Sequence, residues 1–194
     1  MKKITHFLFF LILFSVSENV VAQGVSLAWA KTWGNSRLQQ VMATAVDSNG
    51  NIFVASRFQG TVDFDPGSGT TTYGAGSLYD IAISKFDANG TFLWAKEIGG
   101  NGNDYPLDIA VGDSGSIYIT GTYGALMDLD PGPGTFNKFP VGNIDIFLIK
   151  LDNDGLFKWG ASFGGSFQDY GYGLTVDKES NVYVCGEFRS SVDF

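Results

Sequence analysis

Asp63-Phe64-Asp65 and Asp128-Leu129-Asp130 each place two carboxylates two residues apart, directly before a Pro-Gly pair. In an extended chain, side chains at i and i+2 point to one side. Hard oxygen ligands in this arrangement suit Ca²⁺, with carbonyls or water filling the rest of its about six to eight positions. The same aspartates are equally suited to cap a Pro-Gly turn by accepting backbone N–H groups. A second set, Asp104-Tyr105 and Asp169-Tyr170, follows the glycine pairs Gly99-Gly100 and Gly164-Gly165. Acids and tyrosines on glycine-rich loops suit a binding face for protein or glycan. Two carboxylates across a cleft are also the equipment of glycoside hydrolysis. A hydrolase or lyase using these acids is therefore the alternative, although acids recurring along the chain suit repeated structure better than one asymmetric site.

Other chemistries are excluded by residue type. The chain opens Met1-Lys2-Lys3, runs apolar from Ile4 to Val16 apart from Thr5, His6 and Ser15, and reaches Val20-Val21-Ala22 before Gln23. This is the charged, apolar and small-residue order of a signal peptide over 1-22, with cleavage expected after Ala22. The apolar run falls short of the ~20 residues that span a bilayer, so no transmembrane span is expected in the mature chain. His6 is the only histidine and leaves with that segment. Histidine-dependent triads, Cys-His pairs and His-bearing zinc sites are then impossible in the remainder. Cys185 is the only cysteine, so no internal disulfide forms, and its alignment with Ala55 and Thr120 marks it as a small buried filler. A formal charge of -8 argues against nucleic acid as a partner.

The residues above recur because the chain does. Trp29, Trp94 and Trp159 are 65 residues apart, and a shift of 65 aligns 29-93 with 94-158 without a gap, with 20 identities in 65 positions. Trp94 and Trp159 are expected in the blade core rather than as platforms for a sugar. Asp65-Pro66-Gly67 falls on Asp130-Pro131-Gly132, Asp80-Ile81 on Asp145-Ile146, and Lys85-x-Asp87 on Lys150-x-Asp152. A third copy, 159-194, ends after 36 residues. Within each unit, β-branched and aromatic runs are separated by turns such as Asp47-Ser48-Asn49-Gly50 and Asp87-Ala88-Asn89-Gly90. These are hairpin signals, and outside the signal segment no window carries a capped helical pattern. Four strands per unit are expected, in the second unit at about 106-112, 116-123, 144-151 and 156-162. A lone additional strand is expected over 26-32. Four antiparallel strands at this period give an all-β, propeller-type fold, incomplete at about 2.5 blades.

One stretch carries a family resemblance. Gly99-Gly100-Asn101-Gly102-Asn103-Asp104-Tyr105 leads to Ile109-Ala110-Val111, Asp113-x-Gly115 and Ile117-Tyr118-Ile119-Thr120-Gly121. The third copy repeats the theme with Gly164-Gly165, Asp169-Tyr170, Val176-Asp177, Val182-Tyr183-Val184 and Gly186. This resembles the bacterial β-propeller repeat of the SBBP type. The first copy departs from the pattern at Trp33-Gly34-Asn35, which lacks the double glycine and the Asp-Tyr. The resemblance implies a secreted or cell-surface repeat module, often followed by a sorting segment, with no shared catalytic activity. Closed propellers need about four to eight blades, so missing C-terminal blades of a longer chain are expected. In such a blade the loops before the first strand and between the second and third lie on one face. That face would gather Asp63, Asp65, Asp128, Asp130, Asp193, Asp104, Tyr105, Asp169 and Tyr170, with the second-to-third connections as long loops at about 59-78 and 124-143.

Overall fold

The computed structural model describes residues 27–193, and the expected signal segment 1-22 lies outside them. Among the described residues every regular element is a strand, so there is no helix that could cross a membrane. The strands are β1 (Gln39–Val46), β2 (Ile52–Asp63), β3 (Thr72–Phe86), β4 (Phe92–Gly100), β5 (Asp104–Val111), β6 (Ile117–Tyr123), β7 (Met127–Asp128), β8 (Asn137–Lys138), β9 (Asp145–Leu151), β10 (Phe157–Gly165), β11 (Tyr170–Val176), β12 (Val182–Glu187) and β13 (Val192–Asp193). They form three antiparallel sheets, ordered β1-β2-β3-β4-β7-β8, β13-β10-β9-β6-β5 and β11-β12. None of the sheets closes on itself.

Turn chemistry sets the hairpins. Asp47 Oδ1 accepts the amides of Asn49 and Asn51 at 2.9 and 2.8 Å, while Gly50 N–H returns to the Asp47 carbonyl at 3.0 Å. Gly50 sits at φ 79°, where a side chain would be strained. Asp87, Asp152 and Asp177 build their turns in the same way. In the last of these Ser180 takes the left-handed conformation at φ 66° without being glycine. The strand that opens each sheet carries a register shift against its neighbour, at Val41/Ala43, Pro106/Asp108 and Gly171/Gly173.

Central strands are buried at successive positions rather than on alternate ones, because both of their faces are covered. Phe53, Ile83 and Ile98 of the first sheet pack with Ile109, Ile119 and Ile149 of the second in one buried cluster. Polar contacts fasten the same interface. Trp94 Nε1 donates to the Asn153 carbonyl at 3.3 Å, and the buried Lys85 ammonium donates to the same carbonyl at 3.1 Å and to Asn153 Oδ1 at 2.8 Å. Asp108 Oδ2 accepts the Leu174 amide at 2.7 Å and so ties β5 to β11.

Four expectations are corrected. The segment 59-78 is not a long loop: β2 continues to Asp63 and β3 starts at Thr72. Val62, Phe64 and Ala75 turn inward there onto Phe58, with Phe58 and Phe64 edge-to-face at 5.0 Å. Residues 28-34 form no strand. Trp29 packs on Phe86 at 6.4 Å and its indole N–H donates to the Ala88 carbonyl at 3.2 Å, which holds the segment by its side chain. Cys185 is exposed, not buried, although Ala55 and Thr120 are fully buried. The sheet it occupies has only two strands, so no third strand pairs beside β12. Trp159, expected in the core, is 38% exposed and leans on Tyr118.

Candidate functional site

The Asp-x-Asp-Pro-Gly aspartates are bound to their own turns. Asp63 Oδ1 accepts the amides of Asp65 at 3.1 Å and Thr71 at 2.8 Å, and Asp65 Oδ1 accepts Gly67 N–H at 2.7 Å. Asp128 does the same for Asp130 and Phe136, and Asp130 for Gly132. A Cβ at Gly69 or Gly134 would lie 2.2 Å from the second oxygen of Asp65 or Asp130, so these carboxylates lie against bare backbone. No set of three or more His, Cys, Asp or Glu side chains among the described residues is arranged to hold a metal ion.

The Asp-Tyr residues do not form an open acidic rim. Asp169 is fully buried and accepts the amides of Gly165 at 2.7 Å and Arg189 at 2.8 Å. Asp104 is also fully buried. Neither of its oxygens accepts a hydrogen bond of good geometry, though the amides of Gly100 and Gly124 act on it. Asp169 thus organises its glycine-rich loop from inside, and Asp104 occupies the matching position without such bonds. The tyrosines do reach the surface. Tyr105 and Tyr79 hold the Arg57 guanidinium between their rings at 4.8 and 4.7 Å, and Arg57 also donates to Gln40. Tyr170 stacks on the exposed Tyr172 at 5.8 Å.

The glycine pairs have a steric cause. The end of β4 pairs with β7 through Gly99↔Asp128 and Gly100↔Met127, and β10 meets β13 through Gly164↔Asp193 and Gly165↔Val192. A Cβ at Gly100 would sit 1.9 Å from the Leu126 carbonyl oxygen, and one at Gly99 would sit 2.4 Å from the Asp80 carboxyl carbon. Gly164 is pressed against Asp145 in the same way, at 2.2 Å.

That β4–β7 junction borders a groove of about 340 Å³, walled by Asp80, Glu97, Asp128, Asp130 and Tyr73, with no basic side chain in its lining. Burial raises the Asp80 carboxyl, against the pull of the Gly100 amide and a hydrogen bond with Glu97. Burial, then the Asp80 charge, push Glu97 up to about 7. Behind them, burial and then the Asp80 charge push Asp104 up to about 8. Asp80 and Glu97 escape a search for paired acids in the sequence because they lie on different strands. The available signal is a break in the repeat: Ser162 stands where the 65-residue alignment puts the partner of Glu97.

Residues 158–187 match the SBBP beta-propeller repeat family. The match covers the double glycine, Asp169-Tyr170 and both strands of the β11–β12 sheet. Two curated relatives extend the likeness. The chain is 25% identical over 191 residues to an uncharacterized WD repeat-containing protein, L264, of Acanthamoeba polyphaga mimivirus, covering 87% of this chain and 14% of that one. It is 29% identical over 113 residues to the regulatory protein FlaEY of Caulobacter vibrioides, covering 58% of this chain and 12% of that one. The chain thus spans a small part of the length of either relative.

Proposed function

We propose that this chain is a run of 65-residue β-propeller blades, 29-93, 94-158 and the start of a third, serving as an exported, non-catalytic binding scaffold for protein or glycan. The observation that carries the reading is the recurrence of whole contact sets at that spacing. Trp29 bonds Ala88 as Trp94 bonds Asn153, and Gly99 faces Asp80 as Gly164 faces Asp145. The repeat match and the two relatives, neither named as an enzyme, support it further. The fate of the acids also favours binding over hydrolysis. The repeated aspartates are committed to backbone amides, and Asp80 and Glu97 are in hydrogen-bond contact. Carboxyl groups that close cannot bracket a glycosidic bond, which needs about 5 Å or more between them. The exposed ring of Tyr172, the half-buried Tyr170 stacked on it and the Arg57-linked Tyr105 offer the aromatic contacts such a scaffold would use.

The test is direct. Purified secreted protein is incubated with a panel of polysaccharides, then assayed for released reducing ends and, on a glycan array, for retention. The reading expects no turnover, and retention on any glycan recognised should weaken in Tyr170→Ala. Turnover that is abolished by Glu97→Gln would replace it with the hydrolase reading.

A further inference from the structure

The junction of the first and second sheets holds three carboxyl groups and no base. Asp80 on β3 is 8% exposed, and Asp104 at the start of β5 is fully buried with both oxygens lacking a well-formed hydrogen bond. Glu97 on β4 completes the cluster through its contact with Asp80. The groups facing it from neighbouring elements bring no positive charge. Tyr73 of β3 donates its hydroxyl to the Ala95 carbonyl, and Tyr123 of β6 shares a hydrogen bond with Ser162. Asp128 and Asp130, at and just beyond β7, line the same groove. The ion pairs of the described residues, Lys158–Asp152 and Arg189–Glu187, lie elsewhere.

What this cluster presses against is the pairing of β4 with β7, which adds the short strands β7 and β8 to the first sheet. The backbone of Gly99 and Gly100 pairs with Asp128 and Met127, and the Asn101 amide donates to the Leu126 carbonyl at 2.8 Å. The second junction is built alike but carries one acid fewer. Asp145 and Asp169 take the places of Asp80 and Asp104, Asp169 is satisfied by two amides, and Ser162 replaces Glu97. With Asp80 and Asp104 buried, Glu97 half-buried at the groove and no base among them, ionising all three carboxyl groups together is strongly disfavoured.

We propose that Asp80, Glu97 and Asp104 form a pH-sensitive clasp: while they hold protons β4 stays paired with β7, and when they lose them their mutual repulsion opens that pairing ahead of the other strand pairs of the sheet. The direction follows from linkage. Burial raises these acids, Glu97 to about 7 and Asp104 to about 8, so the closed form binds protons that the open form releases. The closed state is fully favoured below the ordinary carboxylate range and loses its advantage as pH rises through 7 to 8.

Hydrogen–deuterium exchange on the intact chain between pH 5.5 and 9, corrected for intrinsic rates, tests this. Amides of 97–101 and 126–130 should lose protection by about tenfold per pH unit for each group titrated, while those of β2 and β6 hold. The 164–165 junction should lose less, and both Glu97→Gln and Glu97→Ser should flatten the loss at the first. Protection at 97–101 that does not change with pH would overturn the proposal, as would an equal loss at the two junctions. So would an unaltered profile in both variants.

Discussion

The indole nitrogen of Trp94 and the backbone carbonyl of Asn153 are hydrogen-bonded at 3.3 Å across the interface between two sheets, and the Lys85 ammonium reaches the same carbonyl. A turn of one sheet is thus held by two donors of the sheet before it. Trp29 makes the corresponding bond to Ala88, which orders a segment that has no strand pairing of its own.

Trp94→Phe removes the N–H donor and also trims the indole to a smaller phenyl ring. It should cost at least the about 0.5–1.5 kcal/mol that one hydrogen bond is worth net, with the lost packing against Phe53 added. Trp29→Phe should cost a similar amount. Urea unfolding followed by far-UV circular dichroism measures both, and an unchanged midpoint in either variant would show that its bond contributes nothing.

Gly100→Ala should be among the most damaging single-methyl changes in the protein. Its Cβ would meet the Leu126 carbonyl oxygen at 1.9 Å, backbone against backbone, so β4 and β7 must part or shift. The expected loss is about 1–3 kcal/mol, the usual range for overpacking. Gly76→Ala is the control: a methyl group there would meet nothing within 4 Å, and its effect should be near zero.

Calcium should leave the melting temperature unchanged, because Asp63 and Asp128 already accept two turn amides each. Asp128→Ala should destabilise by about 1.5–3 kcal/mol, the worth of hydrogen bonds to a charged group. Asp128→Asn keeps an acceptor oxygen and should lose less. Melting scans in millimolar calcium and in chelator distinguish the roles: a calcium-dependent rise that vanishes in Asp63→Asn with Asp65→Asn would make these loops metal sites.

Material exported by the native host should begin at Gln23. N-terminal sequencing of the secreted protein reads this directly, and a mature chain that retains Met1 would contradict the signal-peptide reading.

The strands and hairpins are legible in the sequence because their determinants are local. Asp-x-Asn-Gly supplies both the side-chain acceptor and the left-handed glycine of the turns at 47-50 and 87-90, and apolar runs such as Ile52–Ala55 fill the covered strands. The 65-residue offset also marks Asp80 and Asp145 as equivalent, without saying why. Their purpose appears only when β4 comes back beside β3 and places Gly99 on the Asp80 carboxyl. The extension of β2 to Asp63 is hidden by the Asp-Pro-Gly signal that follows it, which reads as loop, although Val62 and Phe64 turn inward. Aspartates in glycine-rich loops are usually solvated, and on that ground Asp104 and Asp169 belong on an open face. Here the surrounding amides draw Asp169 inside, and Asp104 occupies the matching position. The groove needs Asp128 and Asp130, at and just beyond β7, against Glu97 on β4, a juxtaposition that no short stretch of sequence contains.

Equivalence of the units 29-93 and 94-158 is the central claim, and an experimentally determined structure of the protein tests it most directly. Superposing β1 to β4 on β5, β6, β9 and β10 at a 65-residue offset should bring Trp29 onto Trp94, Asp80 onto Asp145 and Gly99-Gly100 onto Gly164-Gly165. Each glycine pair should face the carboxylate of its own blade. Different strand orders in the two units, or Gly99 and Gly164 facing unrelated neighbours, would contradict it.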